Sequence, residues 1–227
     1  MQFKFLNRGI YSVAEAARLT RVSPGRIRRW VRGYGFRSRG KNYRSQPVWQ
    51  GQLEPIGDSF ALGFLDVMEV LFVVAFVDAG VSWFVIRKAR EKAKGMFPDS
   101  HPFCTRGFAT DGHRVFVKLH QEAPDSGLVD IASDQRVFPQ VVNPLLKQLE
   151  FTDGGQLLRW WPLGEDRLVV LDPARNFGRP IVARKGVPTE VLAGAAKSIG
   201  LAKAALWFEV SEEEMRDAQE YEQKLEA

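Results

Sequence analysis

The sequence is poor in the side chains that disulfide, metal and redox chemistry need. Its 227 residues hold one cysteine, Cys104, and three histidines, His101, His113 and His120. A lone cysteine excludes an internal disulfide and fits a reducing compartment. The spacing from His101 through Cys104 and His113 to His120 follows no zinc pattern, and no C-x2-C occurs, so neither a metal nor a cofactor is expected. Long apolar runs are also missing. Asp66, Glu69 and Asp78 interrupt the hydrophobic stretch from Phe60 to Ile86, and its longest unbroken piece is Val70 to Val77. Those eight residues fall far short of the roughly 20 that cross a bilayer. The opening MQFKFLNRGIYS has no long apolar region and no small-residue cleavage site, which predicts no signal peptide and a cytoplasmic location. A phosphate-cradling loop is absent as well, because Gly33-x-Gly35 leads into basic residues instead of a helix start. The acids of the body are scattered or crowded at the carboxyl end, so no catalytic residues are expected and the chain reads as a non-enzyme.

Acids are nearly absent from one end. Residues 1–50 hold twelve Lys or Arg against one acid, Glu15, a formal balance of +11, while the remaining residues balance to −6. The net +5 is therefore a strongly basic head on an acidic body, the asymmetry expected of a nucleic-acid-binding protein.

Within that head, Tyr11 to Tyr34 predicts two short helices joined by a tight turn. Ser12 and Glu15 have the spacing of a capping box, and Val13, Ala16, Ala17 and Leu19 supply an apolar face. Ser23 is placed to cap a second helix that opens on Pro24. That helix carries Arg26, Arg28, Arg29 and Arg32 around Ile27, Trp30 and Val31. Crowded arginines repel one another unless a polyanion neutralises them and releases its counterions. The pattern reads as a helix-turn-helix whose second helix enters a major groove. A solvated basic face is the alternative for the helix taken alone. Beyond it, Gly40 flanked by Arg37, Arg39, Lys41 and Arg44, with Tyr43 and Trp49 interleaved, suits a two-stranded wing tipped by glycine. Its cations would sit on phosphates; a flexible basic loop is the alternative. The expected DNA-binding set is Ser23, Arg26, Arg28, Arg29, Arg32, Arg37, Arg39, Lys41, Tyr43 and Arg44, which also implies a nucleoid-associated protein.

A long helix is expected from Ser59 to Ala79, apolar nearly all round and therefore buried, closed by Gly80. Ser82 then caps a helix running to about Lys94 and ending at Gly95. Residues 1–10 suggest a short alternating arm. Thr110 to His113 looks like a hairpin turn feeding a strand, with further strands at Leu128 to Ala132, Gln156 to Leu163 and Arg167 to Leu171. Pro139 to Leu149 reads as helical, with Pro144 marking a break or a start. Trp160 and Trp161 are adjacent on a strand, so one belongs to the core and the other is open to a partner or to local cover. In the tail, Thr189 caps one helix, Leu201 to Phe208 makes a second, and Ser211 with Glu214 opens a third through another capping box. Residues 189–227 balance to −5, which disfavours groove entry and suits a protein surface, especially a basic one.

Two stretches resemble known families. Tyr11 to Thr20, Val22 to Trp30, the basic wing, and Ala79 to Ser82 leading to Ile86-Arg87 resemble the amino-terminal winged helix of MerR-type regulators. The long dimerising coiled coil and metal-sensing cysteines of that group do not follow. Asp172-Pro173, Gly178 to Val182, Gly186 to Thr189 and the helix after Val210-Ser211-Glu212-Glu213 resemble a domain of VapB-type antitoxins. Arg184-Lys185-Gly186-Val187-Pro188 departs from the Gly-Thr-Arg-Ile-Pro usual there, and the Gly-Glu-Ser step between helices is missing. Together the resemblances imply an antitoxin that represses its own operator as a homodimer and neutralises a PIN-like ribonuclease toxin. Phe177, Arg179, Trp207 and Phe208 are the tail residues expected to touch that partner. An effector-responsive MerR-like regulator without a toxin is the other reading. The expected class is α+β: a DNA-binding domain over residues 1–95 (winged helix-turn-helix plus two helices), a small mixed β-sheet region over 96–171, and a three-helix antitoxin-like domain over 172–227.

Overall fold

Helix α1 (Val13–Thr20) begins where the sequence offers its own cap. Ser12 Oγ accepts from the Glu15 amide at 3.1 Å, and Glu15 Oε2 accepts from the Ser12 amide at 2.7 Å. Arg21, in the left-handed region at φ 58°, ends the helix and makes the turn into α2 (Pro24–Arg32). Ser23 precedes α2, but its side chain makes no cap bond; its carbonyl accepts from the Arg26 and Ile27 amides instead. Strands β1 (Tyr34–Ser38) and β2 (Lys41–Ser45) pair antiparallel as the wing. The computed structural model describes residues 8–55, 60–112, 115, 137–164 and 166–226. The arm at residues 1–7, the strand expected over Leu128 to Ala132, and His113 and His120 lie outside the described residues.

Helix α3 (Phe64–Asp78) is the spine of the core. Phe64, Val67, Met68, Val70, Phe72, Val73 and Phe76 are all at most 1% exposed, which is what an all-round apolar helix requires. Each such side chain contributes about 1.5–3 kcal/mol by leaving water. Two of the three acids that break its apolar run, Asp66 and Glu69, are buried too, and both are paired. Asp66 Oδ1 accepts from Trp49 Nε1 at 2.9 Å and lies 2.8 Å from His101 Nε2, while Oδ2 accepts from the Gly63 and Gln52 amides. Glu69 meets Arg90 of α4 (Trp83–Met96) at 2.7 Å. Ser82 caps α4 as expected, but the helix continues one residue past Gly95. Among the described residues, no helix is long and apolar enough to cross a membrane.

Thr110 and Asp111, expected to begin a hairpin turn, lie in a helix instead. Thr105 Oγ1 caps the Phe108 amide at 3.2 Å and starts α5 (Arg106–Asp111), with Gly112 also in the helical region. Val115 is helical as well. Phe108 is fully buried among Phe72, Phe76, Phe97, Phe103 and Phe138, with Phe103 only 4.5 Å away between ring centroids. Packing of that ring overrides the local Asp-Gly turn preference. Helix α6 (Val137–Leu146) runs through Pro144 without stopping.

Strands β3 (Leu149–Phe151) and β4 (Leu157–Trp160) pair antiparallel, with a register shift at Glu150/Phe151. A Trp160–Leu171 bridge leads into β5 (Val169–Val170), itself antiparallel to β6 (Ile181–Val182). Where a mixed sheet was expected, every described pairing is antiparallel, because the strands follow one another through short turns. Trp160 is buried and Trp161 half-buried, its Nε1 donating to Glu150 at 3.0 Å.

Helices α7 (Thr189–Ile199), α8 (Leu201–Phe208) and α9 (Glu212–Glu226) close the chain. Thr189 does not cap α7. Pro188 precedes the helix, and the Thr189 hydroxyl donates to Glu222 on α9. Ser211 and Glu214 form the second capping box. Val182, Leu192, Ala196, Ala204, Ala205, Val210, Met215 and Ala218 make a small core inside this tail. The main core runs from Tyr11 through α3 and Phe103 to Leu171 and Tyr221, so the head, the middle and α9 share it. The fold is α+β.

Candidate functional site

Helix α2 turns Ile27 and Trp30 inward and leaves Ser23, Arg26, Arg28, Arg29 and Arg32 exposed. The inward anchor is aromatic: Trp30 stacks on Trp83 with centroids 5.2 Å apart and planes 19° apart. Three arginines lie on neighbouring rings, Arg26 at 5.1 Å from Trp30, Arg29 at 5.6 Å from Tyr34 and Arg32 at 5.2 Å from Phe60. Such contacts orient a guanidinium while leaving its N–H donors outward. Arg28, Arg29, Arg32, Tyr34 and Arg44 line one concavity between helix and wing.

The wing turns at Arg39 and Gly40, both with positive φ, 47° and 76°, as a two-residue hairpin of the right twist needs. Its root is held by Arg87, whose Nη2 donates to the Gln46 carbonyl at 2.7 Å and to Ser45 Oγ at 3.0 Å. Arg37, Arg39, Lys41, Tyr43 and Arg44 are exposed. Strand alternation separates them. Arg37 and Arg44 share one face of the ribbon, while Tyr43 stacks on Phe36 at 5.5 Å on the other face, with Tyr34 beside it. Tyr43 was expected at the interface, but Tyr34 and Phe36 went unread in the sequence, although the alternation Tyr34-x-Phe36 signals them.

Among the described residues, Arg26, Arg28, Arg29, Arg37, Arg39, Lys41 and Arg44 have no acidic partner. Other cations of the head are spent internally. Arg8 donates to the Gln52 carbonyl at 2.9 Å, Arg18 pairs with Glu222, and Arg21 donates to the Lys224 carbonyl.

The acidic tail is likewise less open than its charge count implies. Arg184 grips Glu214 at 2.7 Å, and Arg167 takes Asp217 at 2.6 Å and also Glu220. Burial pushes the Glu214 carboxyl up, but Arg184 and the Ser211 amide outweigh it and hold the group below its usual range. Thus Asp217, Glu220 and Glu222 tie the tail to the rest of the chain, while Glu214 braces α9 within the tail. Of the residues expected to touch a partner, Trp207 is 80% exposed and Phe177 65%. Arg179 is engaged by Glu15 at 3.0 Å and Glu190 at 3.8 Å, and Phe208 packs against the small tail core. The structure adds Leu206, 81% exposed, and Ile199, which line one surface with Ser198, Lys203 and Trp207. Phe177 sits apart from them in the Asn176–Gly178 turn.

His101 and Cys104 are buried. Burial, with Glu69 3.6 Å from the sulfur, pushes the Cys104 thiol well up, so it is not poised as a nucleophile. Among the described residues no three His, Cys, Asp or Glu side chains are grouped to hold a metal ion.

No family model matches the chain. A protein of Mycobacterium tuberculosis named "Putative antitoxin VapB45" is 29% identical to it over 222 residues, covering 92% of each chain. The X-ray structure of Rv2018 from the same organism superposes with a TM-score of 0.73 over 94% of this chain and 98% of that one. At 23% identity the second comparison shows a common fold. The resemblance to VapB-type antitoxins, carried in the sequence by its two ends, extends along nearly the whole chain.

Proposed function

We propose that this chain is an antitoxin of a toxin–antitoxin pair, a binding protein and not a catalyst, whose α2 and wing hold operator DNA. Residues 1–95 carry the DNA contact, 172–227 carry the partner contact, and 96–171 join them. The observation that carries the DNA half is the arrangement of unpaired cations. Arg26, Arg28 and Arg29 on α2 and Arg37, Arg39, Lys41 and Arg44 on the wing are exposed without an acid, with Arg28, Arg29 and Arg44 around one concavity, whereas Arg8, Arg18 and Arg21 are bound internally. Keeping seven like charges together costs stability unless a polyanion faces them. A homodimer on a two-fold operator would double these contacts. Similarity to a protein named as an antitoxin supports the other half; the toxin we propose for it is a PIN-like ribonuclease.

The test is fluorescence anisotropy with duplex DNA from upstream of the gene. Affinity should fall by roughly a thousandfold or more between about 50 and 200 mM salt. Binding that ignores salt would remove the DNA assignment. Co-expression with the ribonuclease encoded alongside tests the antitoxin half, and unrelieved toxicity would remove it.

A further inference from the structure

Helices α7 and α8 present a surface that nothing in the chain covers. Leu206 and Trp207 are 81% and 80% exposed, and Ile199 is 47% exposed beside them. Singly exposed hydrophobics are ordinary, but neighbouring ones this open mark an interaction site. Ser198, which lines the same surface, is small and uncharged. The charges of the surface are of one sign. Lys203 lies one helical turn from both Leu206 and Trp207, Lys197 sits on the last turn of α7, and neither has an acidic partner among the described residues. The only acid of α7 and α8, Glu190, lies at the far end of α7 against Arg179.

We propose that Ile199, Leu206 and Trp207, with Lys203 at their edge, form the docking surface for a partner protein that offers an apolar pocket bordered by carboxylates. This rests on the antitoxin reading and gives its partner contact a place and a chemistry. A large aromatic beside a leucine is the kind of anchor on which binding energy concentrates, and Lys203 requires an acid opposite it. Charge counting over the tail points to a basic partner, but four of its nine acids, Glu214, Asp217, Glu220 and Glu222, are engaged by Arg18, Arg167 and Arg184, and none of the nine lines this surface. A second copy of this chain fits poorly, because a two-fold contact here would set Lys203 against its own counterpart with no acid between them.

The full-length chain, unaltered and as Leu206→Ala/Trp207→Ala and Lys203→Glu, is titrated into the ribonuclease encoded alongside it. Both variants change exposed side chains, so thermal unfolding and operator binding should match the unaltered chain. The double variant is expected to lose at least tenfold in affinity. Lys203→Glu is expected to lose about as much at low salt and less at high salt. Equal binding by the double variant would overturn the surface while leaving the antitoxin reading intact. Failure of the unaltered chain to bind would overturn that reading and this surface with it. Sedimentation is the remaining arm: if the double variant turns a dimer into a monomer, the occupant is a second copy and the proposal fails.

Discussion

The phenol of Tyr11 donates a 2.6 Å hydrogen bond to the carbonyl of Gly178, across 167 residues of sequence. Tyr11 stands just before α1 and is 1% exposed, while Gly178 lies in the tail. The Ile10 amide bonds the Phe177 carbonyl at 2.9 Å beside it, so the two ends of the chain are joined through backbone as well. A Cβ on Gly178 would lie 2.3 Å from the Tyr11 oxygen, and φ there is +82°, so only glycine fits. Tyr11→Phe should lower unfolding free energy by about 1–3 kcal/mol, the cost of stranding a buried acceptor. Gly178→Ala should cost more, since it combines the clash with an unfavourable φ. Urea midpoints for the two variants check that order.

Two groups of arginines should separate by assay. Arg18 is fixed on Glu222 of α9, whereas Arg28 and Arg29 stand in solvent without an acid. Arg28→Ala/Arg29→Ala should weaken operator binding by about 1–3 kcal/mol for each hydrogen bond to a base edge that it removes. The salt slope should fall by roughly one for each phosphate no longer neutralised. Thermal stability should hardly change. Arg18→Ala should do the reverse, lowering the melting temperature and leaving the salt slope alone. Identical behaviour of the two variants would contradict the division of the head's cations into bound and available sets.

The parts of this molecule that read directly from the sequence are local. The capping boxes at Ser12/Glu15 and Ser211/Glu214 span three residues and formed as their spacing requires. The Arg39-Gly40 hairpin and the burial of α3 follow from turn chemistry and from an apolar composition with no polar side to show. What did not read is non-local. Asp111-Gly112 carries a hairpin signal that loses to Phe108 packing among rings from four other segments. A charge total over residues 189–227 does not record that Glu222 meets an arginine 204 positions earlier, or Asp217 one 50 positions earlier. The exposed trio Ile199, Leu206 and Trp207 was half visible: Trp207 stood out as an aromatic on a short helix, but only the packing of Ala204 and Ala205 inward turns Leu206 out with it.

Asp66 ties the root of the wing to the core. Its two oxygens serve Trp49 Nε1, His101 Nε2 and the amides of Gln52 and Gly63, and it is fully buried. Trp49 and Gln52 follow directly on the wing, so the ribbon's position depends on this carboxylate. Asp66→Ala strands buried donors and should cost roughly 3–5 kcal/mol. Trp49→Phe removes one hydrogen bond from the same set and should cost about 1–2 kcal/mol. Thermal unfolding of both variants measures the difference, and an unaffected Asp66→Ala would show that the network is idle.

Acid should loosen the tail before it unfolds the rest. Glu214 is held by Arg184 at 2.7 Å and by the Ser211 amide at 2.7 Å, and these outweigh the burial that pushes its carboxyl up, leaving it below 4.5 in the folded chain. A carboxyl depressed by folding binds its proton more weakly folded than unfolded. The stability it contributes is therefore present above 4.5 and is lost as pH falls through the lower folded value. Glu220 shifts in the same direction, through Lys224 first and Arg167 next. Glu214→Gln should lower stability at neutral pH and flatten the decline on acidification, so the variant and unaltered curves converge toward low pH. Urea unfolding across about pH 3–7, followed through the helices of the tail, distinguishes this from a uniform loss, which would leave the two curves parallel.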